Sequence, residues 1–130
     1  MSVERHARGV VFLVGWDGEL AAGLAGGLRA EGWQVELESL DGGEAYRRIR
    51  KARPDAVVIT AARPSHGAEV ARSLRGTRAT RELPILCVDA DENARERIAQ
   101  KAAAVRFVTS TELPAVLAEV TRQGVAGSKP

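Results

Sequence analysis

The chain has 130 residues, of which 45% are hydrophobic and 28% are charged, and its formal net charge is +2. These totals indicate one soluble globular domain and leave too few residues for two ordinary ones. The net charge is too small to indicate nucleic-acid binding, and the single cysteine, Cys87, excludes an internal disulfide or a cysteine-based zinc site. No apolar run reaches membrane-spanning length and no signal-peptide core is present, so we predict a cytoplasmic protein without membrane insertion.

The ordered domain is predicted over residues 9–123, between a polar tail (1–8) and a flexible tail (124–130). Met1 indicates a natural start, but the sequence leaves open whether the chain is a whole protein or a piece of a longer one. The apolar run 9–14 predicts a first strand, and Asp17 is a suitable N-cap for the helix that follows. The inward stripe of this helix is expected at three leucines, Leu20, Leu24 and Leu28.

The second strand is predicted at an edge of the sheet, because apolar and polar residues alternate along it. Its apolar positions are Trp33, Val35 and Leu37. Asp41 and Glu44 then have the spacing of a capping box, which predicts a second helix. Its inward residues are Ala45 and Ile49.

The stretch 54–64 organises the rest of the chain. Residues 56–60, AVVIT, are apolar until the last, which is typical of a strand covered on both faces in the middle of a parallel sheet. The strand stops at Thr60, and Arg63-Pro64 is expected to open a loop. In open α/β sheets, ligands bind beyond the carboxyl ends of the central strands, so position 60 bears directly on function.

The second half of the chain continues the alternation of strands and helices. We predict a helix at 67–75, a strand at 85–88, a helix capped by Asp91 or a neighbour, a strand at 105–108 and a last helix capped by Thr111. The inward residues of the last two helices are Ala94, Ile98 and Ala102, then Leu113, Leu117 and Val120. Five strands and five helices joined in this way predict an α/β fold, a doubly wound five-stranded parallel sheet in the flavodoxin-like order 2-1-3-4-5.

At this point the chain resembles the receiver domain of bacterial response regulators, over residues 9–122. The segments that carry the resemblance are GVVFLV (9–14), PDAVVIT (54–60) followed by Pro64 and Gly67, ATRELPILCVDA (79–90) and VRFVTS (105–110). The resemblance implies the flavodoxin-like receiver fold and a part in two-component signalling.

The resemblance also implies a set of phosphorylation residues, and this chain departs from it at each position. The family's phosphoacceptor aspartate, at the end of strand three, is Thr60 here. The acid pair that helps to hold Mg²⁺ falls on Gly15 and Trp16, with Asp17 just beyond. The Ser or Thr that ends strand four is Asp89, and the Lys that ends strand five is Ser110.

These departures predict a degenerate receiver, or pseudo-receiver, without enzyme activity or cofactor. A Thr hydroxyl is a far weaker nucleophile than a carboxylate, and Mg²⁺ keeps few oxygen ligands without the acid pair. The carboxylate of Asp89 would repel a phosphoryl oxygen. No lysine stands at the end of strand five to balance the negative charge of a phosphoryl group. One family position keeps its character, since Phe107 falls where receivers carry the switch aromatic; it is also explained by ordinary core packing.

Three other groups of residues invite a functional interpretation. Asp17, Asp89 and Asp91 could form a residual cation site, but helix capping explains them more simply. Ser65 and His66 are read as a loop serine and a solvated histidine rather than a nucleophile and base, since no GxSxG motif is present. The glycines after strand one, Gly15, Gly18 and Gly23, lack the GxGxxG spacing of a dinucleotide site.

The charge pattern predicts a basic surface on helices two and three, beside an acidic edge at residues 31–41. This surface is either a solvated arginine-rich face or a docking site for an acidic protein partner. The absence of interleaved aromatics argues against nucleic acid. Candidate contacts are Arg47, Arg48, Lys51, Arg72 and Arg75, with Arg95 and Arg106 on the helix-four, strand-five, helix-five face that receivers commonly use.

The preferred hypothesis is a signalling or adaptor domain that acts by protein–protein interaction without phosphorylation, with a homodimer left open. The alternative is a sensor of a small ligand in the altered pocket, which Gly15, Thr60, Asp89 and Ser110 would line.

Overall fold

The computed structural model describes residues 8–39 and 42–128. Strands and helices alternate throughout. The strands are β1 (Val10–Val14), β2 (Gln34–Glu38), β3 (Ala56–Thr60), β4 (Ile85–Val88) and β5 (Val105–Val108). The helices are α1 (Gly18–Ala30), α2 (Gly42–Ala52), α3 (Pro64–Arg75), α4 (Glu92–Lys101) and α5 (Leu113–Ser128). No helix of the described residues is long and apolar enough to cross a membrane.

The five strands form one parallel sheet in the order β2-β1-β3-β4-β5, which confirms the predicted topology. All five residues of β3 are buried, as expected for the central strand, whereas β2 begins exposed and lies at an edge. Because the strands are parallel, their carboxyl ends meet at one edge of the sheet. Thr60 of β3 lies at that edge and is paired with Val88, the last residue of β4.

The core consists of two layers, one on each face of the sheet. On one face, α1 and α5 pack against residues that include Val11, Val58 and Leu86. On the other face, α2, α3 and α4 cover residues that include Phe12 and Ile59. The helices α2 and α3 therefore share a face, as the charge analysis assumed.

The predicted stripe of α1 is wrong at its first residue. Leu20 is 38% exposed, Leu24 is half-buried and Leu28 is buried. The residues of α1 that are buried are Ala21, Ala25 and Leu28. The small alanine side chains allow the helix axis to approach the sheet closely, and this rotates the leucine row toward its rim.

Three helix boundaries also differ from the prediction. Pro64 begins α3 instead of opening a loop, because proline at the first helical position loses no intrahelical hydrogen bond. Before α5, Thr109 rather than Thr111 makes the cap: the Glu112 N–H donates to Thr109 Oγ1 (3.0 Å), and the Thr109 N–H donates to Glu112 Oε1 (2.8 Å). The helix α5 continues to Ser128, into the predicted tail 124–130, which contains no proline before Pro130.

Two predictions concern residues that the structure does not describe. Asp41, the proposed cap of α2, lies outside the described residues, as does the predicted tail over residues 1–7.

Candidate functional site

The central strand ends in a buried hydroxyl. Thr60 is 0% exposed, and its Oγ1 has no hydrogen-bond partner among the described residues. A buried hydroxyl without a partner is costly, because it has lost its hydrogen bonds to water. At the position that the resemblance assigns to the phosphoacceptor, the chain therefore presents a group that is neither ionised nor accessible.

Gly15 closes the space above Thr60. A Cβ atom added to Gly15 would lie 2.8 Å from the Cβ of Ala21, 3.1 Å from Thr60 Oγ1 and 3.2 Å from Thr60 Cγ2. The first distance is too short for two carbon atoms. A side chain at the position that would carry one of the family's acids would therefore require Ala21 or Thr60 to move.

Trp16 and Asp17 are both engaged in structural contacts. The Trp16 ring lies 5.5 Å from the His66 ring, measured between centroids, and packs against the core layer under α2 and α3. Asp17 is the N-cap of α1, since its Oδ1 accepts a hydrogen bond from the Leu20 N–H at 3.2 Å. This confirms the capping prediction for Asp17.

Asp89 and Ser110 bind each other across the same edge. The Ser110 N–H donates to Asp89 Oδ1 (2.9 Å), and the Asp89 N–H donates to the Val108 carbonyl oxygen (2.8 Å). Asp89 has a left-handed backbone with a φ of 57°, which aspartate tolerates better than most residues. The two residues thus link the end of β4 to the loop before α5.

These residues do not fit a magnesium ion. Mg²⁺ requires several oxygen ligands in a near-octahedral arrangement. Gly15 and Trp16 supply no side-chain oxygen, Thr60 is enclosed, and the carboxylates of Asp17 and Asp89 accept backbone hydrogen bonds. Within the described ranges no group of three acidic, histidine or cysteine side chains is arranged to hold a metal.

The other three groups of residues are also accounted for by local contacts. Asp91 caps α4 through a 2.8 Å bond from the Ala94 N–H, as the sequence predicted. Ser65 and His66 belong to the first turn of α3, not to a loop, and Ser65 Oγ lies 3.1 Å from Arg97 Nη1, which donates to it. His66 faces the Trp16 ring. A Cβ at Gly18 or Gly23 would meet nothing within 4 Å, so neither glycine lies against another part of the domain.

Phe107 is half-buried and lies beneath a guanidinium group. Its ring packs against a cluster of Ala68, Cys87 and Ile98, and the Arg95 guanidinium lies 5.7 Å from its centroid. A cation over an aromatic face is attracted by the ring quadrupole, so Arg95 adds to the contacts of this ring. Below it, burial raises the pKa of the Cys87 thiol to about 12, so the thiol is protonated at neutral pH.

Two of the predicted partner contacts are used within the domain. Arg48 is bonded to Glu38 (2.8 Å) and paired with Glu36 (3.5 Å), and its guanidinium lies over the Phe12 ring. Arg75 donates to four backbone carbonyl oxygens, those of Ala103, Arg81, Leu83 and Ala104, at 2.7–3.0 Å. Both side chains therefore fasten elements together, a role that a count of charges along the sequence cannot reveal.

The remaining predicted contacts lie at the surface. Arg47 pairs with Glu44 (2.8 Å), Arg72 with Glu69 (3.5 Å) and Arg106 with Glu119 (3.5 Å). Such exposed ion pairs contribute little to stability and leave the cations accessible. Lys51 lies in the last turn of α2 and borders a basic groove at the amino edge of the sheet.

The sequence did not indicate a cavity of about 440 Å³ between α2 and α3, which Tyr46, His66 and Val70 help to line. Its lining residues come from two helices separated by β3, and no short motif marks their proximity.

Comparisons with known proteins agree with this architecture. No protein-family model matches the chain. It is 39% identical over 90 residues to the response regulator MprA of Mycobacterium tuberculosis, a match that covers 68% of this chain and 38% of that protein. The chain therefore spans less than half the length of the curated relatives that it matches.

Solved structures show the same fold. A two-component response regulator of the LuxR family from Aurantimonas is 27% identical, with a TM-score of 0.67, and the match covers 92% of this chain and 86% of that one. The receiver domain of a sensor histidine kinase from Pseudomonas aeruginosa, solved with magnesium coordinated in its active-site cleft, is 22% identical with a TM-score of 0.76. That match covers 88% of this chain and 98% of the other.

Proposed function

We propose that this chain, whose sequence and structural matches support its assignment to the receiver domain family of response regulators, is a pseudo-receiver that signals without being phosphorylated. It would act in the cytoplasm as an adaptor through protein–protein contacts and would not be an enzyme. The observation that carries the proposal is the contact of Gly15 with Thr60 and Ala21.

That contact supports the proposal because it limits the room for an acid at position 15, in addition to the loss of the nucleophile. Phosphoryl transfer requires a nucleophile, a cation and a place for the three equatorial oxygens of the transferred group. Thr60 offers a buried neutral hydroxyl, and the backbone of Gly15 is packed against it. A substitution of Thr60 alone would leave room for an acid at position 15, whereas here a side chain at that position would require its neighbours to move.

The hydrogen bond between Asp89 and Ser110 supports the same proposal from the other side of the edge. In the family, the residues at these two positions bind phosphoryl oxygens and would have to be available to do so. Here the carboxylate accepts the Ser110 N–H at 2.9 Å, so the β4 and β5 ends are already joined in one arrangement.

The contacts of Phe107 support recognition of a partner through the surface that the domain already presents. The ring is held between the Cys87 cluster and the Arg95 guanidinium. Since no phosphoryl group would drive a rearrangement, recognition by a partner would depend on the surface as it stands.

Magnesium binding tests the proposal in solution. We expect isothermal titration with magnesium chloride to give no saturable heat at millimolar concentrations, because Gly15 and Trp16 replace the acid pair and Thr60 replaces the acceptor aspartate, which leaves too few carboxylates for a magnesium site. A receiver that carries the acid pair and the acceptor aspartate is the positive control. Saturable millimolar binding that is lost in Asp17→Asn would contradict the proposal.

The alternative, a small-ligand sensor at Gly15, Thr60, Asp89 and Ser110, receives no support from a specific observation. Two of these residues are buried and the other two are bonded to each other.

A further inference from the structure

A basic groove lies at the amino edge of the sheet, on the opposite side of the domain from Thr60. It has a volume of about 590 Å³ and lies between the last turn of α2, the segment that leads into β3, and the loop before β4. The ionisable residues that line it are all basic, Arg47, Arg50, Lys51 and Arg53. Deeper in the groove lie side chains that are buried or half-buried, those of Ile49, Pro54, Thr80 and Leu83.

The helix dipole explains only part of this charge. Cations in the last turn of a helix are stabilised by its C-terminal carbonyl groups, which accounts for Arg50 and Lys51. Arg53 lies beyond the helix with a φ of 51°, a left-handed backbone where glycine is the usual residue. Neither Lys51 nor Arg53 forms an ion pair with any described residue. Neighbouring cations without a counter-ion are unfavourable unless something else neutralises them.

The groove is held open by contacts in its walls. Arg75 donates to the carbonyl oxygens of Arg81 and Leu83, which fixes the loop before β4. Thr80 Oγ1 donates to the Leu74 carbonyl oxygen at 2.6 Å, which ties the same loop to α3. A rigid groove loses little conformational entropy when a ligand enters, so its charges are available for binding.

We propose that this groove binds an acidic peptide segment of the partner protein, with carboxylates at Arg50, Lys51 and Arg53 and an apolar side chain against the half-buried Leu83. The inference rests on the proposed adaptor function and names the site through which it would act. An acidic peptide fits better than nucleic acid, because none of the described lining residues is aromatic and therefore none can stack on a base.

The test is a fluorescence-anisotropy titration of the full chain with a fluorescein-labelled Glu-Glu-Leu-Glu-Glu peptide. We expect saturable binding that weakens with salt and at least tenfold weaker binding for the Gln-Gln-Leu-Gln-Gln peptide. The triple variant R50Q/K51Q/R53Q should bind the acidic peptide about tenfold more weakly or worse, since three charge contacts are removed. The matched control R63Q/R97Q/K101Q removes three exposed cations that do not line the groove and should bind as the unmodified chain does. Circular dichroism verifies that both variants are folded.

The outcomes separate this inference from the function on which it rests. Three results would each overturn the proposal that the groove binds an acidic peptide. They are no binding, an equal loss of binding in both triple variants, and tighter binding of a labelled oligothymidylate than of the acidic peptide. None of these results bears on phosphorylation, so the pseudo-receiver proposal would stand. Conversely, a phosphorylated chain that still binds the peptide through Arg50, Lys51 and Arg53 would overturn the proposed function and leave the groove intact.

Discussion

At the scale of single residues, the packing at the carboxyl edge of the sheet depends on Gly15, which has no Cβ atom. The sequence predicted that an acid is missing there, because the glycine could be read directly at a family position. It did not predict that the glycine backbone lies against Thr60 and Ala21. That contact joins three elements that are distant in the chain, and no local pattern encodes the distance between them.

The packing at Gly15 predicts the effect of adding one methyl group. Gly15→Ala should lower the free energy of unfolding by about 1–3 kcal/mol, because the new Cβ would lie 2.8 Å from the Ala21 Cβ and force the chain to move. Gly18→Ala is the matched control, since a Cβ there meets nothing within 4 Å. Urea denaturation measures both. An alanine at position 15 that is as stable as the parent would show that the edge is not closely packed.

The buried thiol of Cys87 predicts a dependence of stability on alkaline pH. Burial raises its pKa to about 12 in the folded chain from 9.0 when exposed, so between these values the unfolded chain releases a proton that the folded chain keeps. The free energy of unfolding should therefore fall as the pH rises from about 9 to about 12, by up to about 1.4 kcal/mol per pH unit. The contribution of Cys87 is the difference in slope between the parent and Cys87→Ala. Equal slopes would mean that the thiol titrates normally.

At the scale of the elements, the helix α1 contains an unusual number of glycines. Gly23, Gly26 and Gly27 are exposed, and a Cβ at each would meet nothing within 4 Å. These glycines therefore do not bring the helix close to the sheet, since the buried residues of α1 are Ala21, Ala25 and Leu28.

The exposed glycines predict that α1 can be stabilised. Gly23→Ala and Gly27→Ala should each raise the free energy of unfolding by up to about 1 kcal/mol, since alanine restricts the unfolded chain and meets no obstacle in the helix. Gly67→Ala is the contrasting control, because a Cβ there would lie 3.1 Å from Ile59 Cγ2. Thermal denaturation distinguishes the two groups. A loss of stability in the α1 variants would contradict the open surface that the structure describes.

The elements also show what the sequence could predict. The order and type of the ten elements followed from apolar runs, from the alternation along β2, from helical stripes and from caps such as Asp17 and Asp91. The errors lie at the ends of helices, where alternatives compete locally. Thr109 and Thr111 are both suitable caps, and the choice of Thr109 depends on the reciprocal bond with Glu112. Similarly, Pro64 fits either a loop or a first helical turn.

At the scale of the whole molecule, the two opposite edges of the sheet differ in packing and in charge. The carboxyl edge, where the family performs its chemistry, is closed by Gly15, Thr60 and the bond between Asp89 and Ser110. The amino edge carries a groove whose ionisable residues are basic. Charge counting along the sequence found the basic run but could not separate Arg48 and Arg75, which are bonded within the domain, from Lys51 and Arg53. That separation depends on the tertiary structure.

The central claim is that this receiver fold does not accept a phosphoryl group, and intact mass spectrometry tests it most directly. The chain is incubated with acetyl phosphate and magnesium chloride, beside a receiver that carries the acceptor aspartate. We predict an unchanged mass for this chain, because Thr60 is buried and neutral and the carboxylates nearby are engaged. A stoichiometric mass increase of one phosphoryl group that requires magnesium would contradict the account.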